Sequence, residues 1–233
     1  MKLSRRETMQ FSATAAAVLS FGAVRSLEAA AQPAAPPPDG LVETRLRNIA
    51  PLPLLPDGSA PEYGPGDVGT IEGVLWKTPD TPDIDFDYRR LRINLDGRGT
   101  AGLSGTLTFA DLEKLPRHSQ ITLLQCGAPV PRGIVKWTGV RFSDFAQSIR
   151  MQNFASYARF VGSDGYFIDE DVKTLLHPQV MLAWLMNDEP IPPQNGAPLR
   201  LVVPFRYGAR SMKAITGIQF TATSFPPAAP WPG

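Results

Sequence analysis

Apolar and polar positions alternate most clearly at Leu91, Ile93 and Leu95, with Arg92 and Asn94 between them. That period of two predicts a half-buried strand, closed by a turn at Asp96-Gly97. A second apolar run, Ile121 to Gln125, predicts a short strand ending at Cys126, where strand gives way to loop. Tyr157 to Val161 predicts another, ended by Gly162-Ser163-Asp164-Gly165. Leu199 to Val203, halted by Pro204, and Ile218 to Thr223 complete the strands. Val180 to Met186 is apolar throughout, so periodicity leaves open a helix or the start of a buried strand. Thr108 and Asp111 form an N-cap pair for a helix from Phe109 to Leu115, stopped by Pro116. Ser143 can cap a second helix from Asp144 to about Met151. No internal repeat is visible, and the elements sum to a β-rich α+β domain with short helices and long ordered loops.

The 24 prolines and 20 glycines in 233 residues agree with that picture and argue against a helical bundle. With 43% hydrophobic residues the chain can bury a sizeable core as one domain. A net charge of +1 gives no sign of nucleic acid or an anionic membrane surface as partner. The first residues carry an address. Lys2, Arg5 and Arg6 precede the uncharged stretch Thr8 to Val24, and Ala29-Ala30-Ala31 offers a cleavage site before Gln32. Ser4-Arg5-Arg6-Glu7-Thr8-Met9 resembles a twin-arginine export signal, with Thr8 where a bulky apolar residue is commonest. Removing residues 1–31 takes away four basic and two acidic side chains and leaves a charge of −1. The expected organisation is an export signal over 1–31, a Pro-rich linker and N-terminal extension over 32–66, a catalytic domain over 67–225 and a Pro-rich tail over 226–233.

The chain has one cysteine, which excludes an internal disulfide, and no C-x-x-C-H run for covalent haem. A lone cysteine is most often a small buried hydrophobe. Cys126, however, leaves a strand into Gly127-Ala128-Pro129-Val130-Pro131, a stiff loop of little bulk that would let a large group approach the sulfur. A soft thiolate suits a soft metal already bound by sulfur. A nucleophilic cysteine would need a base, and only His118, in the polar turn PRHSQ, and His177, before Pro178, are available. Both are expected as surface residues, and they do not make a closed zinc site.

Four blocks in order carry a resemblance: Thr108 to Pro116, Leu124-Gln125-Cys126, Trp137-Thr138-Gly139-Val140, and Asn187 to Pro204 continuing through Phe205 to Lys213. Together they span roughly residues 90–223 and resemble the sulfite oxidase superfamily of molybdopterin-dependent oxidoreductases. With no immunoglobulin-like domain before Gly233, the likeness leans to the compact branch of the periplasmic methionine sulfoxide reductase catalytic subunit. The resemblance implies a sulfite oxidase-type molybdopterin-binding fold and a Mo-molybdopterin cofactor, with Cys126 as the protein's ligand to the metal. It implies cofactor contacts from Asn195, Arg200, Ser211, Met212 and Lys213. Without it, Asn195-Gly196 would be a simple turn and Arg200 a solvated strand-end charge. Also implied are oxygen-atom transfer on a sulfoxide, sulfite or other oxyanion, and a c-type or membrane cytochrome as electron partner to a periplasmic monomer. Arg132, Arg206 and Arg210 are then candidate positive groups at the mouth. Three departures stand out. The loop after Cys126 holds a single arginine, and no Asn- and aromatic-rich pterin contact is found between Ala60 and Trp76. A threonine contact of some relatives falls near Gly162, where only backbone could serve. The alternatives are a sulfite oxidase proper and a cofactor-free periplasmic binding module on the same fold.

Overall fold

A computed structural model describes residues 50–71, 73, 82–128 and 130–223. The expected export signal, the start of the expected linker and the Pro-rich tail lie outside the described residues. Among the described residues ten strands form two sheets, the first mixed and the second antiparallel, accompanied by three short α-helices. The first sheet takes β1 (Arg92–Asp96), β2 (Gly105–Thr108), β5 (Tyr157–Gly162), β6 (Phe167–Asp171) and β10 (Ile215–Thr221), in the order β2-β1-β10-β5-β6. The second takes β3 (Arg117–Gln125), β4 (Arg132–Arg141), β7 (Met181–Met186) and β8 (Glu189–Pro190) in that order, with β9 (Arg200–Val202) also paired to β7. Only the β1–β10 pairing is parallel. The helices are α1 (Phe109–Leu112), α2 (Phe142–Ser148) and α3 (Val172–Leu175). No described helix is long and apolar enough to cross a membrane.

The main core joins the two sheets. Ile93, Phe160, Ile218 and Phe220 of the first sheet and Leu182 and Leu201 of the second meet around Phe142 and Phe145 of α2. Phe142 lies 5.6, 6.0 and 6.3 Å, ring centre to ring centre, from Phe145, Phe160 and Phe220. A smaller core, with Leu124, Val135, Trp137, Met181, Ala183 and Val202, lies on the second sheet's other face. In β7, Leu182 and Trp184 enter the first core while Met181 and Ala183 enter the second. Both faces of the strand are therefore buried, which removes the alternation that would have marked it as a strand.

Other differences from the expected elements have local causes. Helix α1 keeps the Thr108–Asp111 capping box but ends at Leu112 instead of Leu115. Its last turn tightens, with Leu115 N–H donating to Leu112 C=O, because Pro116 disfavours helical backbone at the residue before it. Helix α2 begins at Phe142, directly off β4, so Arg141 and not Ser143 occupies the N-cap position. Full burial of Phe142 fixes that start, and the helix stops at Ser148, with Arg150 beyond it in the left-handed region (φ 56°). His118 lies inside β3 opposite Gly139, not in a turn. Strand β10 starts at Ile215, three residues early, and β4 was not anticipated because Gly133, Lys136 and Gly139 interrupt its apolar pattern.

Gly139 explains the Trp137-Thr138-Gly139-Val140 block. A Cβ there would lie 1.9 Å from the Leu182 carbonyl oxygen and 2.7 Å from Ala183 Cα, so only glycine lets β7 pair at this point. Gly139→Ala is expected to cost at least about 2–3 kcal/mol, the upper part of the overpacking range, measured as a lower urea midpoint.

Residues 50–69 cross the second sheet as a strap. Ala60 N–H and C=O bond the Gln179 amide (2.9 and 2.7 Å), Tyr63 N–H donates to Ile121 C=O, and Gly69 N–H donates to Ile134 C=O. Ala50, at the start of the strap, is held at the end of β3 by Gln125.

Candidate functional site

Strand β3 delivers Cys126 at its end, half-buried and without a disulfide. The connection to β4 folds back at once: Gln125 pairs with Arg132, and Cys126 N–H donates to Pro131 C=O at 3.0 Å. The chain turns within Gly208–Arg210 directly against this point. A Cβ at Gly208 would sit 3.5 Å from Gln125 O and 3.7 Å from Cys126 Cα, ordinary contact distances. Gln125 Nε2 and Tyr207 Oη both donate to Ala50 C=O (2.6 and 3.2 Å), tying the strap to both sides of the cysteine.

Arg200 is the most unusual side chain nearby. It opens β9, where a solvated charge would be ordinary, yet it is 2% exposed. Its Nη1 donates to Asn195 C=O at 2.6 Å and its Nη2 to Ser211 C=O at 3.2 Å. Its guanidinium lies 4.6 Å from the centre of the Trp137 ring. Nε has no partner, and no acidic side chain among the described residues pairs with this cation. Burial pushes its pKa down to about 9, so it still carries its charge at neutral pH. A buried charge without a counter-charge is costly, and an arginine fork favours a phosphate or carboxylate.

The other expected residues gather around it. Asn195 is buried and followed by Gly196 at φ 110°. A Cβ at Gly196 would come within 2.9 Å of Lys213 Cγ, so the glycine makes room for the lysine to pass. Ser211 Oγ accepts from Val203 N–H at 3.0 Å. Met212 points its side chain into the main core, leaving its backbone to face the cluster; its C=O accepts from Leu201 N–H. Lys213 is pulled down to about 8, first by burial and then by Arg200, against the upward pull of Asp164 and Cys126. Asn195, Arg200 and Ser211 are thus joined by hydrogen bonds, and Lys213 links them electrostatically to Cys126.

The three candidate mouth arginines separate. Arg132 is exposed, with Nε 3.4 Å from Gln125 Oε1. Arg206 is exposed; burial raises the pKa of Asp171, and the Thr174 hydrogen bonds followed by the charge of Arg206 outweigh it and leave the carboxyl below its ordinary value. Arg210 is not a free cation, because Glu170 holds it at 2.6 Å. His118 lies eight residues before Cys126 along an extended strand, roughly 25 Å away, too far to act as its base. His177 Nδ1 accepts from Gln179 N–H and its ring packs on Phe205. Sequence reasoning missed Trp137 as the platform under Arg200, and Gln125 and Tyr207 as the strap's anchors. The position of Gln125 beside the cysteine was the one available hint.

The arrangement suits a bulky anionic group that carries its own metal. One thiolate is at hand, and no group of three or more His, Cys, Asp or Glu side chains gathers among the described residues. The deciding comparison is at the level of the family: residues 78–229 match the oxidoreductase molybdopterin-binding domain. The chain belongs to this family. It is an oxidoreductase whose cofactor is Mo-molybdopterin. Similar proteins include the uncharacterized oxidoreductase YuiH of Bacillus subtilis, 30% identical over 63% of this chain and 74% of its own. The protein-methionine-sulfoxide reductase catalytic subunit MsrP of Campylobacter jejuni is 28% identical over 59% of this chain and 51% of its own. Mitochondrial sulfite oxidase of Drosophila melanogaster is 29% identical over 48% and 24%. The chain therefore spans about half of the MsrP length and a quarter of the sulfite oxidase. The sulfane dehydrogenase SoxCD structure from Paracoccus pantotrophus, at 18% identity and TM-score 0.54, shares the fold over 60% of this chain and 40% of its own. The sulfite oxidase-type fold expected from the sequence is the fold observed.

Proposed function

We propose that the chain is an exported, periplasmic enzyme that transfers an oxygen atom to or from a small sulfoxide-type substrate, with Cys126 as the protein's ligand to molybdenum. Arg200 carries the reading: a buried cation with an unpartnered Nε, bonded to Ser211 just after the turn that lies against the cysteine, calls for an anion that the described residues do not supply. The pterin phosphate is that anion. Arg200 and Lys213 bind it, Asn195 and the backbone of Ser211 and Met212 line its cradle, and the ring of Trp137 keeps water from the guanidinium. When bound, the molybdenum centre supplies two-electron oxygen-atom exchange, the chemistry no side chain here can perform. The Gly208–Arg210 turn and the Cys126–Pro131 loop hold the thiolate in place, and exposed Arg132 beside Gln125 gives the mouth a positive group. Electrons pass to or from an external cytochrome.

The likeness to MsrP favours sulfoxide reduction, and the export signal favours the periplasm. Sulfoxide-dependent oxidation of a reduced dye by the molybdenum-loaded enzyme supports this direction. Sulfite-dependent reduction of cytochrome c with no sulfoxide activity assigns the oxidase direction instead.

A pH dependence follows from Lys213. Its pKa in the cofactor-free protein lies near 8, below the ordinary 10.5, and a bound phosphate raises it again. Cofactor uptake then takes on a proton above pH 8, so retention weakens as pH rises, by up to about tenfold per unit for one proton. Molybdenum retained after dialysis from pH 7 to 10 measures this, and Lys213→Met should flatten the profile.

A further inference from the structure

Glu170 and Arg200 are the charged side chains buried among the described residues. Arg200 has a role in the reading above; Glu170 does not. It sits on β6, 6% exposed, and receives Arg210 through Nε at 2.8 Å and Nη2 at 2.6 Å, while Nη2 also donates to Asp169 C=O. Four residues before it, Tyr166 Oη donates to Ala209 C=O at 3.3 Å. Strand β6 and the residue leading into it therefore grip both ends of the Ala209-Arg210 pair. On its opposite side the same turn lies against Cys126 through Gly208, and its next residue, Ser211, holds Arg200. Desolvating a carboxylate is a poor way to gain stability, but it fixes one geometry where several are available.

We propose that Glu170, acting through Arg210, is a positioning residue that presses the Gly208–Arg210 turn onto Cys126 and so sets the access and orientation of its sulfur. The reading of Cys126 as metal ligand gives this positioning its use. Cys126 is the chain's single thiol, so alkylation by iodoacetamide reports on it alone. In the full-length chain purified from a host unable to make the cofactor, Glu170→Gln is expected to raise the alkylation rate on the order of fivefold, as local opening becomes easier. Arg210→Lys and Tyr166→Phe should move it the same way. Arg159→Gln is the control. It removes the bridge to Asp169 (2.6 Å), which leaves the other face of the same strand pair, and should change the rate less than about twofold. In the molybdenum-loaded protein, Glu170→Gln should also shift the electron paramagnetic resonance signal of the half-reduced metal. Unchanged alkylation in Glu170→Gln and Arg210→Lys, or an equal rise in Arg159→Gln, would overturn the proposal. Should Glu170→Gln fail to fold, Arg210→Lys and Tyr166→Phe decide it. Wild-type protein that takes up no molybdenum would sink the cofactor reading instead, while the thiol comparison still decides the role of Glu170.

Discussion

Cys126→Ala is expected to leave a folded protein with no measurable turnover, a loss of at least about 10³-fold, beyond the 10- to 100-fold that follows loss of a metal's outer-shell partners. The side chain is half-buried at the end of β3, not in either core cluster, so removing its sulfur opens little cavity. Stability should fall by no more than about 1 kcal/mol, below the usual cost of emptying a core site. Circular dichroism and the urea midpoint check the fold, and metal analysis and turnover check the site. A structural cysteine would give the opposite pattern, with modest destabilisation and retained turnover.

Arg200→Met carries the second large effect, and the size of its effect on cofactor-free stability separates a ligand-binding cation from a structural one. If Arg200 only braced Asn195 and Ser211, losing its two charge-assisted hydrogen bonds would destabilise the cofactor-free protein by about 3–6 kcal/mol. If it is held ready for an anion, the cofactor-free protein bears the burden of an uncompensated charge, and methionine relieves it. That gain offsets the two carbonyls left without their donor, Asn195 and Ser211. The expected change in cofactor-free stability is within about 1.5 kcal/mol of zero. Molybdenum retention should meanwhile fall at least about 100-fold, the loss of a buried charge-assisted fork. Urea unfolding of cofactor-free protein and metal content of loaded protein give the two halves of the result.

How far these features were legible depended on where each residue's burial is decided. The alternation at Leu91, Ile93 and Leu95 predicted β1 because only one of its faces is buried. The run Met181–Met186 could not be assigned because its neighbours bury both faces, information held by β4 and β9 rather than by the run itself. Strand β4 was hidden by Gly139, whose missing side chain is a requirement of the β7 backbone beside it. The expected site residues came from the resemblance, not from pattern. Arg200 stands where a strand begins, and nothing local distinguishes a solvated arginine there from a sealed one. Its burial comes from β9 pairing with β7 and from the return of the chain through Ser211, both long-range events. Cys126 was different. Its position at a strand end, before a loop of small residues and prolines, was visible in the sequence and is where the structure places it. The grip of Glu170 on Arg210 spans 40 positions and left no local trace.

The bond between the Cys126 sulfur and molybdenum is the central proposal, and X-ray absorption at the molybdenum edge of purified full-length protein measures it. Wild-type protein should show the dithiolene sulfurs plus one more sulfur scatterer, and any metal that Cys126→Ala retains should lack that extra sulfur. An identical sulfur shell in the two proteins, or wild-type protein that holds no molybdenum after production alongside active cofactor synthesis, would contradict it.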